Sequence, residues 1–103
     1  MSRIKGTVDR PRMSVHRSNR QLYVQIIDDY SGKVITGAST LSEEMKKIDA
    51  STPQERAREL GKLIASKASE RKITKVAFDR KKFKYHGNLK ALAEGAREGG
   101  LEF

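Results

Sequence analysis

The alternation of side chains between residues 21 and 29 constrains the fold of this 103-residue chain more than any other feature. The apolar residues Leu22, Val24 and Ile26 alternate, with a period of two, with Tyr23, Gln25 and Ile27. Successive side chains of a β-strand point to opposite faces of a sheet, so this period predicts a strand. Because both of its faces carry apolar side chains, we predict that this strand lies inside a sheet.

Two further strands are expected beside it. Met13 and Val15 alternate with polar neighbours up to the turn-forming cluster Ser18-Asn19-Arg20. On the other side, the polar and glycine-containing stretch 28–32 predicts a turn, after which β-branched residues indicate a third strand over about 33–41. The N-terminal part of the chain therefore predicts a three-stranded antiparallel meander.

Residues 52–72 predict a capped helix. Thr52 can act as N-cap, Pro53 occupies the first helical position and Glu55 completes a capping box. Small and apolar residues then share one helical stripe: Ala57, Leu60, Gly61, Ile64 and Ala68. We expect the helix to end near Arg71-Lys72, because cations suit the negative end of the helix dipole. The polar segment 42–51 before it predicts either a short helix or a loop.

The remaining pattern completes an α/β fold. Residues 73–78 predict a fourth strand, and the preceding helix is long enough for a right-handed crossover that allows strands three and four to pair in parallel. A second apolar stripe (Leu89, Leu92, Ala93, Ala96) predicts another helix, which Gly99-Gly100 ends. The order β-β-β-α-β-α predicts a single α/β domain over residues 11–103, with a mixed sheet and two main helices packed against it. Residues 1–10 form a short basic N-terminal extension.

Positive charge is segregated along the chain. The sequence holds 22 Lys and Arg against 13 Asp and Glu, for a net charge of +9. Residues 1–20 carry +5 and residues 71–90 carry +7, whereas the other two stretches are slightly negative. Solubility alone does not require such segregation, so the pattern favours a polyanionic partner.

Two basic segments, residues 10–20 and 80–90, contain most of the candidate RNA-binding residues. Cations neutralise phosphates, while aromatic rings stack on unpaired bases. The first basic segment offers Arg10, Arg12, His16, Arg17, Ser18, Asn19 and Arg20. The second basic segment offers Arg80, Lys81, Lys82, Lys84, Tyr85, His86, Asn88 and Lys90. Phe83 is expected to anchor the second segment to the core, and Tyr85 fits either role. Because both segments flank the same sheet, we predict that they lie on one side of the molecule.

Several other classes of chemistry find little support. The chain has no cysteine, which excludes disulfides, zinc–thiolate sites and thiol nucleophiles, and its two histidines are His16 and His86. No phosphate-binding glycine loop or nucleophile elbow is present, so neither a cofactor nor a small-molecule substrate is expected. The apolar runs fall far short of the ~20 residues of a membrane helix, and MSRIKGTVDR lacks a signal-peptide core. A cytoplasmic location without a membrane partner is expected.

Three aspartates leave an enzymatic alternative open. Asp28 and Asp29 fall in a predicted turn, where local hydrogen bonds favour aspartate, and adjacent strand residues point to opposite faces. Asp79 follows the fourth strand, and we expect it to order the second basic segment by pairing with Arg80 or accepting loop N–H bonds. The alternatives are a metal-dependent nuclease that uses Asp79 with Asp28 or Asp29, and a basic adaptor for an acidic protein.

Six stretches carry a family resemblance. In chain order they are RPRMSVHRSN, QLYVQIIDD, ASTL, VAFDR, YHG and LKALAEGAREGGLEF, the last reaching the final residue. With them the chain closely resembles the bacterial L-eighteen family of large-subunit ribosomal proteins. The resemblance implies a non-enzymatic protein that binds 5S ribosomal RNA and helps attach it to 23S ribosomal RNA. It also implies a place in the central protuberance of the large subunit, beside neighbouring ribosomal proteins.

The chain departs from the family pattern at three places. Family members usually begin with a longer basic arm, so contacts of that arm carry over only to Arg3 and Lys5. After VAFDR the family typically has small residues, where this chain has Lys81-Lys82. The position after YHG is commonly arginine and is Asn88 here, which removes one expected cation.

Overall fold

The computed structural model describes residues 10–18, 21–48, 52–79 and 87–103. Its strands are β1 (Arg12–Ser18), β2 (Gln21–Asp28), β3 (Lys33–Ser39) and β4 (Ala77–Asp79). Its helices are α1 (Glu43–Lys46), α2 (Pro53–Glu70) and α3 (Gly87–Glu98). The predicted α/β class and the element order are confirmed, and the undecided segment before α2 contains a short helix that buries Met45.

The four strands form one mixed sheet in the order β3-β2-β1-β4. β2 is an inner strand, as its two-sided apolar pattern predicts, and it pairs antiparallel with both β1 and β3. β3 and β4 run in the same direction, as the crossover predicts, but the expectation that they pair with each other is wrong, because β4 pairs with β1 at the opposite edge. The 18-residue helix α2 spans about 27 Å, which exceeds the distance across three neighbouring strand spacings. The length of the crossover therefore allows β4 to pair at either edge of the sheet and does not predict which one.

The fourth strand is also shorter than predicted and begins later. The residues just before it pair with the C-terminus instead: Val76 N–H donates to the Glu102 carbonyl, and Glu102 N–H donates to that of Thr74. Phe103 then packs on Phe78, with ring centroids 5.2 Å apart. The last residues of the chain therefore lie beside β4 and the segment that precedes it.

The core lies between one face of the sheet and the helices α2 and α3. It contains the inward side chains of β1 and β2 together with the predicted helical stripes, including Met13, Val15, Val24, Ile26, Leu60, Ile64 and Leu92, all fully buried. Thr52 caps α2 as predicted, since its Oγ1 accepts a hydrogen bond from Glu55 N–H at 3.1 Å. The helix ends at Glu70, close to the predicted boundary, and Lys72 takes a left-handed conformation with φ of 61°.

Glycines set the distance between the two long helices. A Cβ at Gly61 would overlap the carbonyl oxygen of Leu92 and lie 2.6 Å from the backbone nitrogen of Ala96. A Cβ at Gly95 would overlap the carbonyl group of Arg58 in return. The helices thus pack backbone to backbone, and they run in the same direction, because Gly95 lies against Arg58 and Gly99, further along the chain, lies against Ala65.

Candidate nucleic-acid interface

A guanidinium bound by two carboxylates lies where the first basic segment meets the end of β4. Nε and Nη2 of Arg12 donate to the two carboxylate oxygens of Asp29 at 3.0 and 3.1 Å. Nη1 of Arg12 donates to Oδ2 of Asp79 at 3.0 Å. The planar fork of arginine matches a carboxylate in this two-bond geometry, and the charge strengthens each bond.

The register of the sheet creates this cluster. Arg12 and Ser14 point to the same face of β1, and Ser14 lies beside Asp79 on the parallel neighbour β4. The side chains of Arg12, Asp29 and Asp79 are 21%, 17% and 1% exposed. The hydrogen bond with Asp29 does most to raise the pKa of Arg12 above its ordinary value, against the opposing effect of burial, and the bond with Asp79 adds to the rise.

The Arg12 cluster joins the start of β1, the β2–β3 turn and the end of β4. Asp79 is the last residue before the second basic segment, so the cluster fixes the end of β4 from which that segment departs. Asp79 was expected to pair with Arg80 or loop N–H groups, and those partners lie outside the described residues. The described partner is Arg12, whose role the sequence reasoning missed because it depends on the pairing of β1 with β4.

The turn role of Asp28 is confirmed. Its carboxylate accepts hydrogen bonds from Tyr30 N–H and from the Ser31 hydroxyl, both at 3.0 Å. Asp28 therefore holds the β2–β3 turn, whereas Asp29 turns toward the Arg12 cluster.

The same geometry bears on the nuclease alternative. Asp29 and Asp79, two of the three carboxylates from which that site would be drawn, share one guanidinium, and Asp79 is almost fully buried. Throughout the described ranges, no three His, Asp or Glu side chains come together as a potential metal site. The carboxylates thus act as partners of a cation that the protein itself supplies.

The predicted RNA-binding residues divide into described and undescribed sets. Arg10, His16 and Arg17 are exposed, and Ser18 ends β1. In the first turns of α3, Asn88 is half-buried and Lys90 is exposed. Outside the described residues lie Arg3, Lys5, Asn19, Arg20, Arg80, Lys81, Lys82, Lys84, Tyr85 and His86, along with Phe83. The parallel pairing places Asp79 beside Ser14, so the chain enters the second basic segment next to the middle of the first.

Two cations of α2 have acidic partners on α2 and α3. Arg58 pairs with Glu98 and lies 3.8 Å from Glu94, and Lys62 pairs with Glu59 and Glu98. The hydrogen bond with Arg58 is the largest cause of the lowered pKa of Glu98. The surface shared by α2 and α3 is therefore largely neutralised from within, which leaves the charge excess to the two basic segments.

These features define a class of protein. A mixed sheet that is covered by helices on one face and carries cations on strand and loop positions is typical of small basic α/β domains that bind nucleic acid. Within the described residues, none of the helices combines the length and apolar character that a bilayer span requires.

Comparison with known proteins identifies the family. The model of the family described as ribosomal L18 of archaea, bacteria, mitochondria and chloroplast matches residues 1–103. The chain is 53% identical over 103 residues to large ribosomal subunit protein uL18 of Kosmotoga olearia, covering 99% of this chain and 84% of that protein. It is 51% identical over 102 residues to uL18 of Bacteroides thetaiotaomicron, covering 99% of this chain and 86% of that one. The chain therefore belongs to the ribosomal L18 family, as its resemblance predicted.

Proposed function

We propose that this chain is a structural, non-enzymatic component of the large ribosomal subunit in the cytoplasm. In this proposal it binds 5S ribosomal RNA and helps attach it to 23S ribosomal RNA, beside neighbouring proteins of the central protuberance. Residues 11–103 form the RNA-binding domain, and residues 1–10 extend it with Arg3 and Lys5. Membership of a ribosomal protein family supports this function. So do the bacterial relatives, which are named as large-subunit proteins.

The segregation of charge is the observation that carries the proposal. The two basic segments hold the excess of cations, while Arg58 and Lys62 of α2 are paired with carboxylates of α2 and α3. RNA binding by such a surface gains free energy mainly from counterions that leave the phosphates. A rigid sheet lowers the entropic cost of holding the cations in place, because the strand that presents them is already ordered.

Arg12 has a distinct part in this mechanism. Three of its five N–H groups are used on Asp29 and Asp79, which leaves two for a phosphate. Its main contribution is to hold Asp79, the residue that precedes the second basic segment, against β1. Arg10 and Arg17, which are exposed, are the better candidates for direct phosphate contact.

Salt dependence tests this mechanism. If about six phosphates are neutralised, the logarithm of the binding constant for 5S ribosomal RNA should fall with the logarithm of salt concentration at a slope of about −4 to −5. Arg17→Ala should reduce the magnitude of that slope by about 0.7 to 0.9 without changing the melting temperature, since exposed cations contribute little to stability. Fluorescence anisotropy with labelled RNA over a series of salt concentrations measures the slope.

Lys62→Ala is the matched control, because it removes the same charge from the exposed, acid-paired surface of α2. It should leave the slope unchanged. A flat salt response of the parent protein, or equal effects of the two substitutions, would contradict the assignment of RNA binding to the basic segments.

A further inference from the structure

Residues 101–103 connect α3 to the region of β4. After α3, Gly100 takes a φ of 110°, which favours glycine, and Leu101 N–H donates to the carbonyl of Ala96 at 3.0 Å. The chain turns back at this point, and the side chain of Leu101 is buried in the core. Glu102 then exchanges backbone hydrogen bonds with the segment that precedes β4. These three residues therefore link the helix that they follow to the strand beside which they lie.

An arginine of α3 holds the aromatic ring of Phe103. The guanidinium carbon of Arg97, in the last turn of α3, lies 4.4 Å from the centroid of that ring. Nη2 of Arg97 also donates to the carbonyl oxygen of Phe103 at 3.4 Å. A guanidinium over the face of an aromatic ring is attracted by the negative charge of that face. Arg97 therefore fixes the position of the Phe103 ring relative to α3.

The same ring packs on β4. The ring centroids of Phe103 and Phe78 lie 5.2 Å apart and the ring planes are tilted by 44°, a favourable geometry for an aromatic pair. Phe78 lies beside the buried Met13 of β1 and points to the core face of the sheet, whereas Asp79 points to the opposite face and binds Arg12. β4 is thus held by side chains on both of its faces.

These side-chain contacts matter because the backbone pairing of β4 is short. It pairs with β1 over the three residues Ala77–Asp79, and so few backbone hydrogen bonds open locally at little cost in free energy. Most of the second basic segment lies between β4, which ends at Asp79, and α3, which begins at Gly87. Because residues 101–103 contact both β4 and α3, they fix the positions of the two ends of that stretch relative to each other.

We propose that Phe103 is a positioning residue for RNA binding, which holds the end of β4 in place relative to α3 through its contacts with Phe78 and Arg97. Since both ends of the stretch are fixed before RNA arrives, less conformational entropy is lost when cations of the second basic segment bind phosphates. Phe103 itself does not contact RNA. The inference rests on the proposed function for the presence of RNA, and it adds a residue outside both basic segments on which the affinity depends.

Phe103→Ala tests the positioning role, because it removes the ring without changing the charge. The affinity for 5S ribosomal RNA should fall by about 3-fold to 10-fold, the effect expected when order must be supplied during binding. In the free protein, amide hydrogen exchange at Phe78 and Asp79 should become faster, while exchange at Val24 in the inner strand β2 should stay unchanged. Both measurements are made at a temperature at which circular dichroism shows the variant to be folded.

Three further variants serve as controls. Phe103→Tyr keeps the ring and should bind within about 2-fold of the parent protein. Arg97→Lys keeps the charge but loses the planar guanidinium, so it should weaken binding in the same direction as Phe103→Ala. Leu41→Ala shortens an exposed apolar side chain that follows β3, at the other edge of the sheet, and should change neither affinity nor exchange.

Three results would overturn the inference. Unchanged affinity of folded Phe103→Ala would show that the ring stabilises the fold without affecting RNA binding. Weaker binding with unchanged exchange at Phe78 and Asp79 would indicate that Phe103 contacts RNA directly, and equal losses for Phe103→Ala and Phe103→Tyr would show that the ring is not the cause. If the parent protein did not bind 5S ribosomal RNA at all, the proposed function would fail together with the inference, so the two failures are distinguishable.

Discussion

Arg12→Ala is expected to lower the free energy of unfolding by about 3 kcal/mol, a large part of the stability of a domain of this size. The substitution removes the guanidinium from Asp79, a carboxylate that is 1% exposed, and from Asp29 at the same time. A buried carboxylate that loses its cation keeps its desolvation cost without the compensating attraction. Urea denaturation monitored by circular dichroism measures the change.

Removing the charges together is the matched control. Arg12→Met combined with Asp79→Asn should cost clearly less than the sum of the two single substitutions, because no unpaired charge remains on β4. A loss of less than about 1 kcal/mol for Arg12→Ala, or additive effects in the pair, would show that the cluster is only a weak surface ion pair.

The cluster also has an expected effect on RNA binding. Asp79→Asn keeps the shape of the side chain but weakens its charge-assisted bond to Arg12. If the Arg12 cluster orders the second basic segment, this change should weaken binding of 5S ribosomal RNA. Removal of a negative charge near phosphates would by itself tighten binding. Tighter binding of Asp79→Asn would therefore contradict the ordering role.

Gly95→Ala is expected to destabilise the domain by about 3 kcal/mol or more, even though alanine favours a helix by about 1 kcal/mol over glycine. Its Cβ would overlap the backbone carbonyl of Arg58 on α2, and backbone atoms cannot rotate away as a side chain does. Gly61→Ala meets the backbone of α3 in the same way and should behave alike. The two helices must then separate and lose part of their shared core.

Thermal and urea unfolding of the alanine variants measure this effect. Lys90→Ala, at an exposed position of the same helix, should change the stability by no more than about 0.5 kcal/mol. If Gly95→Ala were neutral or stabilising, helix propensity would outweigh the contact, and the close packing of α2 on α3 would be contradicted.

The sequence predicted most of the individual elements, because their signals are local. The two-residue alternation around Val24 identified an inner strand, and Thr52, Pro53 and Glu55 located the start of α2. The position of β4 was not predictable in this way. Its place beside β1 depends on which edge the chain reaches after a long helix, and Val76 pairs with Glu102, which is far away in sequence.

The sequence predicted which residues the candidate site contains better than it predicted how those residues contact one another. The segregation of cations identified both basic segments from the sequence, because charge needs no knowledge of the fold. The role of Arg12 depends on two contacts, with Asp29 and Asp79, that exist only once β1 lies between β2 and β4. The packing of Gly95 on Arg58 also depends on a non-local contact. A single glycine in a predicted helix does not indicate which other helix lies against it.

The central claim is that this protein recognises 5S ribosomal RNA and does not merely bind polyanions. A competition gel shift tests it most directly, with labelled 5S ribosomal RNA displaced either by itself or by an unrelated RNA of equal length at physiological salt. We predict that the unrelated RNA competes at least about tenfold less well, a difference of about 1.4 kcal/mol in binding free energy. Equal competition by the two RNAs would contradict the claim and would reduce the protein to a non-specific basic domain.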